Sequence, residues 1–269
     1  MEQQEKKEIR LELPEKVRQI IEQIQKHGFE AYAVGGCVRD SLLGRTPDDW
    51  DITTSAKPQE VKAIFPRTID TGIEHGTVTV MMGKEGFEVT TYRIDGAYLD
   101  GRHPESVEFS SNLVEDLKRR DFTINAMAYN EQQGLVDVFE GIEDMQRKVI
   151  RCVGNPKERF GEDALRMMRA IRFSAQLGFE IEEETYRAVE ELASELVDFI
   201  NRSYPGVLEE KYAIEHSDDK FEVLEKIAQS RHCLVRGNEF DTEKAAAILL
   251  DDFRNGRLGR ITLEVPEAV

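Results

Sequence analysis

The spacing of apolar residues in the first third of the chain switches between the helical and the strand period. Over residues 14–26 the apolar positions are separated by three, one and three residues, which predicts an amphipathic helix that ends near Gly28. Residues 31–34 form a short apolar run that predicts a strand leading into Gly35-Gly36 and a helix. Further strands are predicted over residues 50–54, 77–82 and 87–92, the last two forming a hairpin around the turn at 83–86.

Strand patterns fade after Ile142, and the apolar spacing over residues 162–200 is almost wholly helical. The sequence Tyr204-Pro205-Gly206 is the strongest break in the C-terminal half. The pattern therefore predicts an α+β protein in which a mixed sheet with flanking helices is followed by helices alone. The predicted domains are a head at 1–150, a helical neck at 151–202 and a helical C-terminal region at 203–269.

Composition narrows the class of protein. With 40% hydrophobic and 33% charged residues in 269 positions, the chain can build real cores and is too polar for a membrane protein. No long apolar run occurs, and the first ten residues lack the apolar stretch of a secretory signal, so we expect a cytoplasmic location and no membrane partner. The three cysteines are too few and scattered for a disulfide framework or a zinc cluster, which predicts reduced thiols.

The net charge of -17 argues against nonspecific binding to a polyanion. The charge is unevenly distributed, because residues 118–172 carry eleven bases and nine acids, a net +2 that leaves -19 for the rest. An ordinary mixture of solvated helix faces gives the same pattern. One cationic zone in an acidic chain nevertheless marks where an anionic ligand would bind.

Asp49 and Asp51 flank Trp50 in the predicted strand 50–54. Residues two apart on a strand face the same side, so both carboxylates can bind hard cations such as Mg²⁺ while Trp50 turns into the core. A solvated strand edge produces the same pattern, so this signal alone is weak. Glu88, a charged residue in a β-branched and aromatic strand, is either a third carboxylate beside the pair or an exposed edge residue.

Two further segments suit phosphate binding. In residues 35–40 two glycines open a helix, which lets backbone N–H groups approach a phosphate that Arg39 would neutralise. In residues 119–127 two arginines and an aspartate precede a predicted helix N-terminus, which suits a triphosphate and a ribose. A tight turn without a ligand and a simple helix cap are the respective alternatives.

Asp163, Arg166, Arg169 and Arg172 recur every third residue in a predicted helix, opposite an apolar stripe of Leu165, Met168 and Ile171. A ladder of salt bridges on the helix surface is one interpretation. The other is base selection, because a carboxylate accepts from the exocyclic amine of cytosine or adenine while a guanidinium donates to the adjacent ring nitrogen. Such a pair would select CTP and ATP without a template.

Seven motifs follow one another between residues 31 and 185: GGCVRDSLLG, DDWDITT, EHGTV, FEVTTYR, RRDFTINAMA, DVFEGIEDM and GEDALRMMRAIRFSAQLGFEIEEET. Together they resemble the bacterial class II tRNA nucleotidyltransferases, the CCA-adding enzymes and their poly(A) polymerase relatives, over about residues 31–192. The resemblance implies a nucleotidyltransferase head with a helical neck. The roles that it implies are Asp49 and Asp51 for two Mg²⁺ ions, Glu88 beside them, Gly36, Arg39 and Arg120 around the incoming nucleotide, and Asp163, Arg166, Arg169 and Arg172 for base and phosphate.

The same resemblance extends to residues 93–102, which are similar to the flexible loop that complete CCA or A addition requires. Beyond Leu192 we expect the family pattern to stop. Residues 203–269 instead resemble the small C-terminal helical domain of circularly permuted ribosome-assembly GTPases, although the chain has no G-x-x-x-x-G-K-[ST] loop and therefore no GTPase site. This region is either a solvated helical cap or an RNA contact through Arg254, Arg257 and Arg260.

The sequence thus predicts a template-independent tRNA nucleotidyltransferase that adds C, A or both to an RNA 3′ end from CTP and ATP. The expected reaction is attack of the RNA 3′-hydroxyl on the α-phosphate, assisted by two metal ions. Two alternatives remain open: a poly(A) polymerase, and an RNA-binding or ribosome-assembly factor whose head retains little activity.

Overall fold

The computed structural model describes residues 9–96, 107–163, 165–235, 237, 239–259 and 261. The chain divides into two compact units, one up to Asp163 and one after it. This division lies thirteen residues later than the head boundary predicted at 150. Part of the predicted flexible loop, residues 97–102, lies outside the described residues.

The first unit is built on a seven-stranded mixed sheet with the order β3-β4-β5-β2-β1-β8-β9. Only β2 and β5 pair in parallel, and the other neighbours are antiparallel. A separate two-stranded sheet joins β6 and β7. The strands are β1 Ala31–Val34, β2 Ile52–Thr54, β3 Thr68–Gly72, β4 Thr77–Met82, β5 Glu85–Thr91, β6 Arg93–Asp95, β7 Val107–Phe109, β8 Met127–Asn130, β9 Gly134–Asp137 and β10 Val149–Ile150.

The centre of the large sheet is covered on both faces, because every residue of β1, β2 and β8 is buried. Helix α1 packs on β1 and β2, and α2 packs on β1 and β8. The helices of this unit are α1 Glu15–Lys26, α2 Gly36–Leu42, α3 Pro58–Ile64, α4 Leu113–Lys118, α5 Gly141–Arg147 and α6 Pro156–Glu162, with 3-10 helices at Ile73–His75 and Thr123–Asn125. The predicted first helix is confirmed, since its four apolar residues are the ones that it buries.

The second unit is helical apart from a two-residue strand. Its elements are α7 Leu165–Leu177, β11 Glu180–Ile181, α8 Glu183–Ser203, α9 Val207–Tyr212, α10 Lys220–Ser230 and α11 Thr242–Arg254. The long helix α8 packs against α9, α10 and α11, and α7 packs against α11. The predicted fold class, a mixed sheet with flanking helices followed by helices, is confirmed.

The segment after residue 203 is not a solvated cap in this structure. Its helices bury Leu224, Ile227 and Leu249 completely or almost completely, and they share a core with α8, which buries Val197 and Ile200. Apolar burial of this extent stabilises a domain by about 1.5–3 kcal/mol for each large side chain. The residues from 203 onward therefore complete the hydrophobic core that α8 begins.

The guanidinium of Arg257, half exposed, pairs with Asp251 at 2.7 Å and with the buried Asp252 at 3.1 Å. The RNA contact expected of this region stays a prediction. The side chain of Arg254 and all of Arg260 lie outside the described residues.

Two expectations from composition concern the cysteines and the membrane. All three cysteines are free and buried, and their reduced state stays a prediction. Within the described residues, no helix combines the length and the apolar character that crossing a membrane would require.

Candidate active site

Asp49 and Asp51 lie immediately before strand β2, rather than within it. The strand begins at Ile52, so the predicted start at Trp50 is wrong, and only the carbonyl of Asp51 joins the sheet by accepting from the Val34 N–H at 3.0 Å. Charged side chains suit a solvated approach to a buried strand better than the ladder itself. Both aspartates are consequently exposed, while Trp50 is only half-buried.

The two carboxylates fit a cation site. Among the described residues, neither side chain forms a hydrogen bond or an ion pair, so their oxygens remain available. Partial desolvation raises the pKa of Asp51, the positive charge of Arg120 acts in the opposite direction, and the negative charge of Asp49 raises the pKa again. A divalent cation bound by oxygen ligands would relieve this repulsion.

Glu88 lies next to this pair in the sheet. In the parallel pairing of β2 with β5, Ile52 is opposite Val89, so the residues that precede them, Asp51 and Glu88, are at neighbouring positions. The side chain of Glu88 is exposed. Within the described part of the chain, however, no three carboxylate, histidine or cysteine side chains are grouped closely enough to hold a metal ion. Glu88 therefore remains a neighbour of the pair, as the resemblance implies.

The turn between β1 and α2 brings a glycine against an arginine. Gly35 adopts φ +83° and ψ −131°, a conformation open to glycine but strained for other residues, and α2 begins at Gly36 as predicted. A Cβ atom on Gly35 would lie 3.1 Å from Nη1 of Arg120. The turn, Arg120 and the charge of Asp51 therefore belong to one site.

Asp116 is a member of this site that sequence reasoning missed. Its carboxylate has no exposed surface and accepts from Arg119 Nε at 3.0 Å, Arg120 Nη2 at 3.4 Å and Thr53 Oγ1 at 3.1 Å. Burial acts to raise the pKa of Asp116, but the charges of Arg120 and Arg119 and these hydrogen bonds outweigh it and lower the pKa. The signal in the sequence was an aspartate three and four residues before paired arginines.

Arg39 lies in a buried polar network. Its Nε and Nη2 atoms each donate to the carboxylate of Asp40 at 2.9 Å, and Nη1 donates to Asn125 Oδ1 at 2.7 Å. Asn125 in turn donates to Asp121 Oδ1 at 3.1 Å. The guanidinium predicted to neutralise a phosphate is thus held by a carboxylate and an amide that connect α2 to the segment after Arg120.

The predicted polar stripe from Asp163 to Arg172 is interrupted. Asp163 has extended backbone, φ −144° and ψ 103°, and caps the C-terminus of α6, whereas the arginines belong to α7, which begins at Leu165. The single continuous helix predicted over these residues is therefore wrong. The salt-bridge ladder and the base-selecting pair both stay predictions.

Helix α7 also buries a different face from the one predicted. Its buried residues are Arg166, Met167, Ala170 and Phe173, whereas the predicted apolar stripe of Leu165, Met168 and Ile171 is only half-buried. The guanidinium groups of Arg169 and Arg172 lie over the ring of Phe173, with Cζ at 5.1 and 5.4 Å from its centroid. Cation–π contacts of this kind restrain both arginines on one side of the helix.

Residues 31–151, which include the mixed sheet, the glycine turn and the carboxylates before β2, match the family of the Poly A polymerase head domain. The chain is also similar in sequence to bacterial CCA-adding enzymes. It is 56% identical over 170 residues to the CCA-adding enzyme of Lactobacillus delbrueckii subsp. bulgaricus, covering 63% of this chain and 43% of the relative.

A second relative, the CCA-adding enzyme of Streptococcus mutans, is 47% identical over 225 residues, covering 82% of this chain and 53% of the relative. The chain spans about half the length of the curated relatives that it matches. An aligned span of 82% of this chain reaches past residue 200 wherever it begins. The resemblance thus continues beyond Leu192, where we expected it to stop.

Solved structures agree with these relatives. The CCA-adding enzyme of Bacillus stearothermophilus in complex with CTP has 44% identity and a TM-score of 0.61, covering 78% of this chain and 47% of that chain. The CCA-adding enzyme of Thermotoga maritima complexed with tRNA has 25% identity and a TM-score of 0.59, covering 94% and 55%. A match over 94% of the chain includes most of residues 203–269. The alternative of an RNA-binding or ribosome-assembly factor whose head retains little activity is not favoured.

Proposed function

We propose that this chain acts in a template-independent tRNA nucleotidyltransferase, which adds C and A to a tRNA 3′ end from CTP and ATP. The observation that carries the proposal is the pair of exposed, unpaired carboxylates of Asp49 and Asp51 beside Arg120 and the Gly35 turn. This arrangement occurs in a head that is homologous to CCA-adding enzymes, some of them solved with CTP, ATP or tRNA.

Asp49 and Asp51 are the proposed ligands of Mg²⁺, with Glu88 beside them. Bound there, the ions would lower the pKa of the RNA 3′-hydroxyl and stabilise the pyrophosphate that leaves. The carboxylates would hold the reacting groups in line, and Arg120 and the backbone around Gly36 would bind the negative charge of the triphosphate. Arg39 would support this turn through Asn125.

Base selection is proposed for Asp163 and Arg166, with Arg169 and Arg172 binding phosphate. The support is chemical, because a carboxylate acceptor beside a guanidinium donor matches the Watson–Crick edge of cytosine and adenine and mismatches that of uracil and guanine. A cytoplasmic location, where tRNA substrates are made in bacteria, accompanies this proposal.

The test is incorporation from single labelled nucleotides in the presence of Mg²⁺, with either tRNA that lacks its 3′ end or unrelated RNA as the primer. We expect CMP to be added first, AMP to be added only after it, and both to require tRNA. Long runs of AMP on unrelated RNA would replace the proposal with a poly(A) polymerase. No incorporation on any primer, from protein that still binds CTP, would show that the chain alone is not a complete enzyme.

A further inference from the structure

We propose that Asp116 is a positioning residue for the nucleotide: it holds the guanidinium of Arg120 over the Gly35 turn. The inference rests on the proposed function. It concerns a residue that would not itself touch the substrate.

The guanidinium of Arg120 contacts Asp116 through one nitrogen and faces the Gly35 turn with another. Nη2 is 3.4 Å from the carboxylate of Asp116, and Nη1 faces the position of a Cβ on Gly35 at 3.1 Å. Nε is buried and has no hydrogen-bond partner among the described residues. A buried N–H without a partner is costly, so the guanidinium retains hydrogen-bonding capacity that an anionic ligand at the turn can use.

The charge of Asp116 acts on Arg120 through a direct contact. Its carboxylate has no exposed surface and accepts from Nη2 of Arg120 at 3.4 Å. A hydrogen bond between two charged groups is stronger than one between neutral groups, so removal of this charge would weaken the hold on Arg120 at the Gly35 turn.

Besides Arg120, two residues hold the carboxylate of Asp116 in place. Arg119 donates to it from the end of α4, and Thr53 donates to it from β2, the strand that directly follows Asp51. The same hydroxyl lies 3.3 Å from the carbonyl oxygen of Thr90, so Asp116 and this carbonyl share its single hydrogen. Helix α4, which the two arginines directly follow, is thus tied to β2, the strand that begins one residue after Asp51.

The experiment compares Asp116→Asn with Asp144→Asn in the full chain. Asp144 is a matched control, because it is also buried and accepts from a threonine, Thr123, at 2.6 Å and an arginine, Arg151, at 2.9 Å. CTP binding in Mg²⁺ is measured by calorimetry, and unfolding is followed by circular dichroism. We expect both variants to lose stability, whereas the dissociation constant for CTP should rise about tenfold or more only in Asp116→Asn, as loss of a charge-assisted hydrogen bond implies.

A double-mutant cycle with Arg120→Lys separates positioning from general damage. If Asp116 acts through Arg120, the double variant binds CTP about as weakly as Arg120→Lys alone, because the interaction is lost once. The proposal would be overturned if the losses of CTP affinity in the two single variants multiplied in the double variant. It would also be overturned if Asp144→Asn weakened CTP binding as much as Asp116→Asn does. If Asp116→Asn does not fold, Thr53→Val removes one hydrogen bond to the same carboxylate, and unchanged CTP binding in that variant would count against the inference.

Failure of the proposed function gives a different result. If the unsubstituted chain binds no CTP in Mg²⁺, the nucleotide site itself is wrong, and the inference about Asp116 falls with it. If the chain binds CTP and Asp116→Asn binds it equally well, the proposed function stands and only the positioning role is overturned.

Discussion

Nη1 of Arg120 lies 3.1 Å from the position that a Cβ atom on Gly35 would occupy. Gly35→Ala should therefore both strain the backbone at φ +83° and displace the arginine. We expect a loss of about 1–3 kcal/mol in the free energy of unfolding. Nucleotide incorporation should fall about a hundredfold, the cost of misplacing a reacting group by roughly 1 Å.

Gly44 provides the control for this substitution, because its φ is +70° and a Cβ atom there would have nothing within 4 Å. Gly44→Ala should cost stability through backbone strain alone and leave the Michaelis constant for CTP unchanged. Equal effects of both variants on that constant would show that the contact with Arg120 is irrelevant. Denaturant unfolding measures the stability of the two variants, and initial rates give their Michaelis constants for CTP.

Asp49→Ala and Asp51→Ala should each reduce incorporation by about a thousandfold or more, since each removes a ligand that stabilises charge in the transition state. Neither side chain has a partner among the described residues, so unfolding by heat should be nearly unchanged. Asp48→Ala, which alters the exposed neighbouring aspartate, is the control and should retain normal turnover. Near-normal incorporation by either site variant would refute the assignment.

Asp163→Ala should relax discrimination against UTP and GTP more than it slows the use of CTP. The reason is the loss of an acceptor that only cytosine and adenine can satisfy, a contact worth about 1–3 kcal/mol by analogy with base readout in DNA grooves. Competition among all four nucleotides measures the effect, with Glu158→Ala, an exposed residue of α6, as the control. A uniform fall in rate with unchanged selectivity would leave Asp163 a structural role only.

Glu243 makes the stability of the second unit depend on pH. Burial, followed by the charge of Asp241, raises its pKa from 4.5 to about 7, although a hydrogen bond from Tyr186 acts in the opposite direction. The folded state thus holds this proton more tightly than the unfolded state, so stability should be greater below pH 4.5 and decline as the pH rises toward 7.

Glu243→Gln should remove that decline. Because the side chain is only half-buried, solvent screening limits the expected gain at pH 8 to about 1 kcal/mol. Urea unfolding at several pH values measures it, and Glu215→Gln, an exposed substitution in the same unit, should leave the profile of the native chain intact. An unchanged pH dependence in Glu243→Gln would contradict the prediction.

Local pattern predicted much of the fold because several elements carry their own signals. The period of α1 and the apolar run of β1 predicted elements that agree with the structure to within one residue. The beginning of β2 was misplaced because Trp50 has strand propensity, whereas pairing with β1 and β5 is set by partners distant in sequence. The same limitation hid Asp116, whose contact with Thr53 spans 63 residues.

The helical half was harder to predict for a related reason. One continuous period was assumed from Asp163 onward, but the backbone is extended at Asp163, and α7 buries Arg166 rather than Leu165. A polar side chain on the buried face cannot be recognised from hydropathy, because its partners lie elsewhere in the fold. The core role of the residues after 203 was missed because composition reports charge and not which helices pack together.

The thiol of Cys37 directs its weak hydrogen bond to the carbonyl of Val34 at 3.4 Å, beneath the turn that carries Gly35. Burial raises the pKa of this thiol to about 11, so at neutral pH it is almost entirely protonated and unreactive. An alkylating reagent can modify it only while the strand and the helix separate. The rate at which Cys37 is alkylated therefore reports how often the head opens transiently. Bound nucleotide should lower that rate.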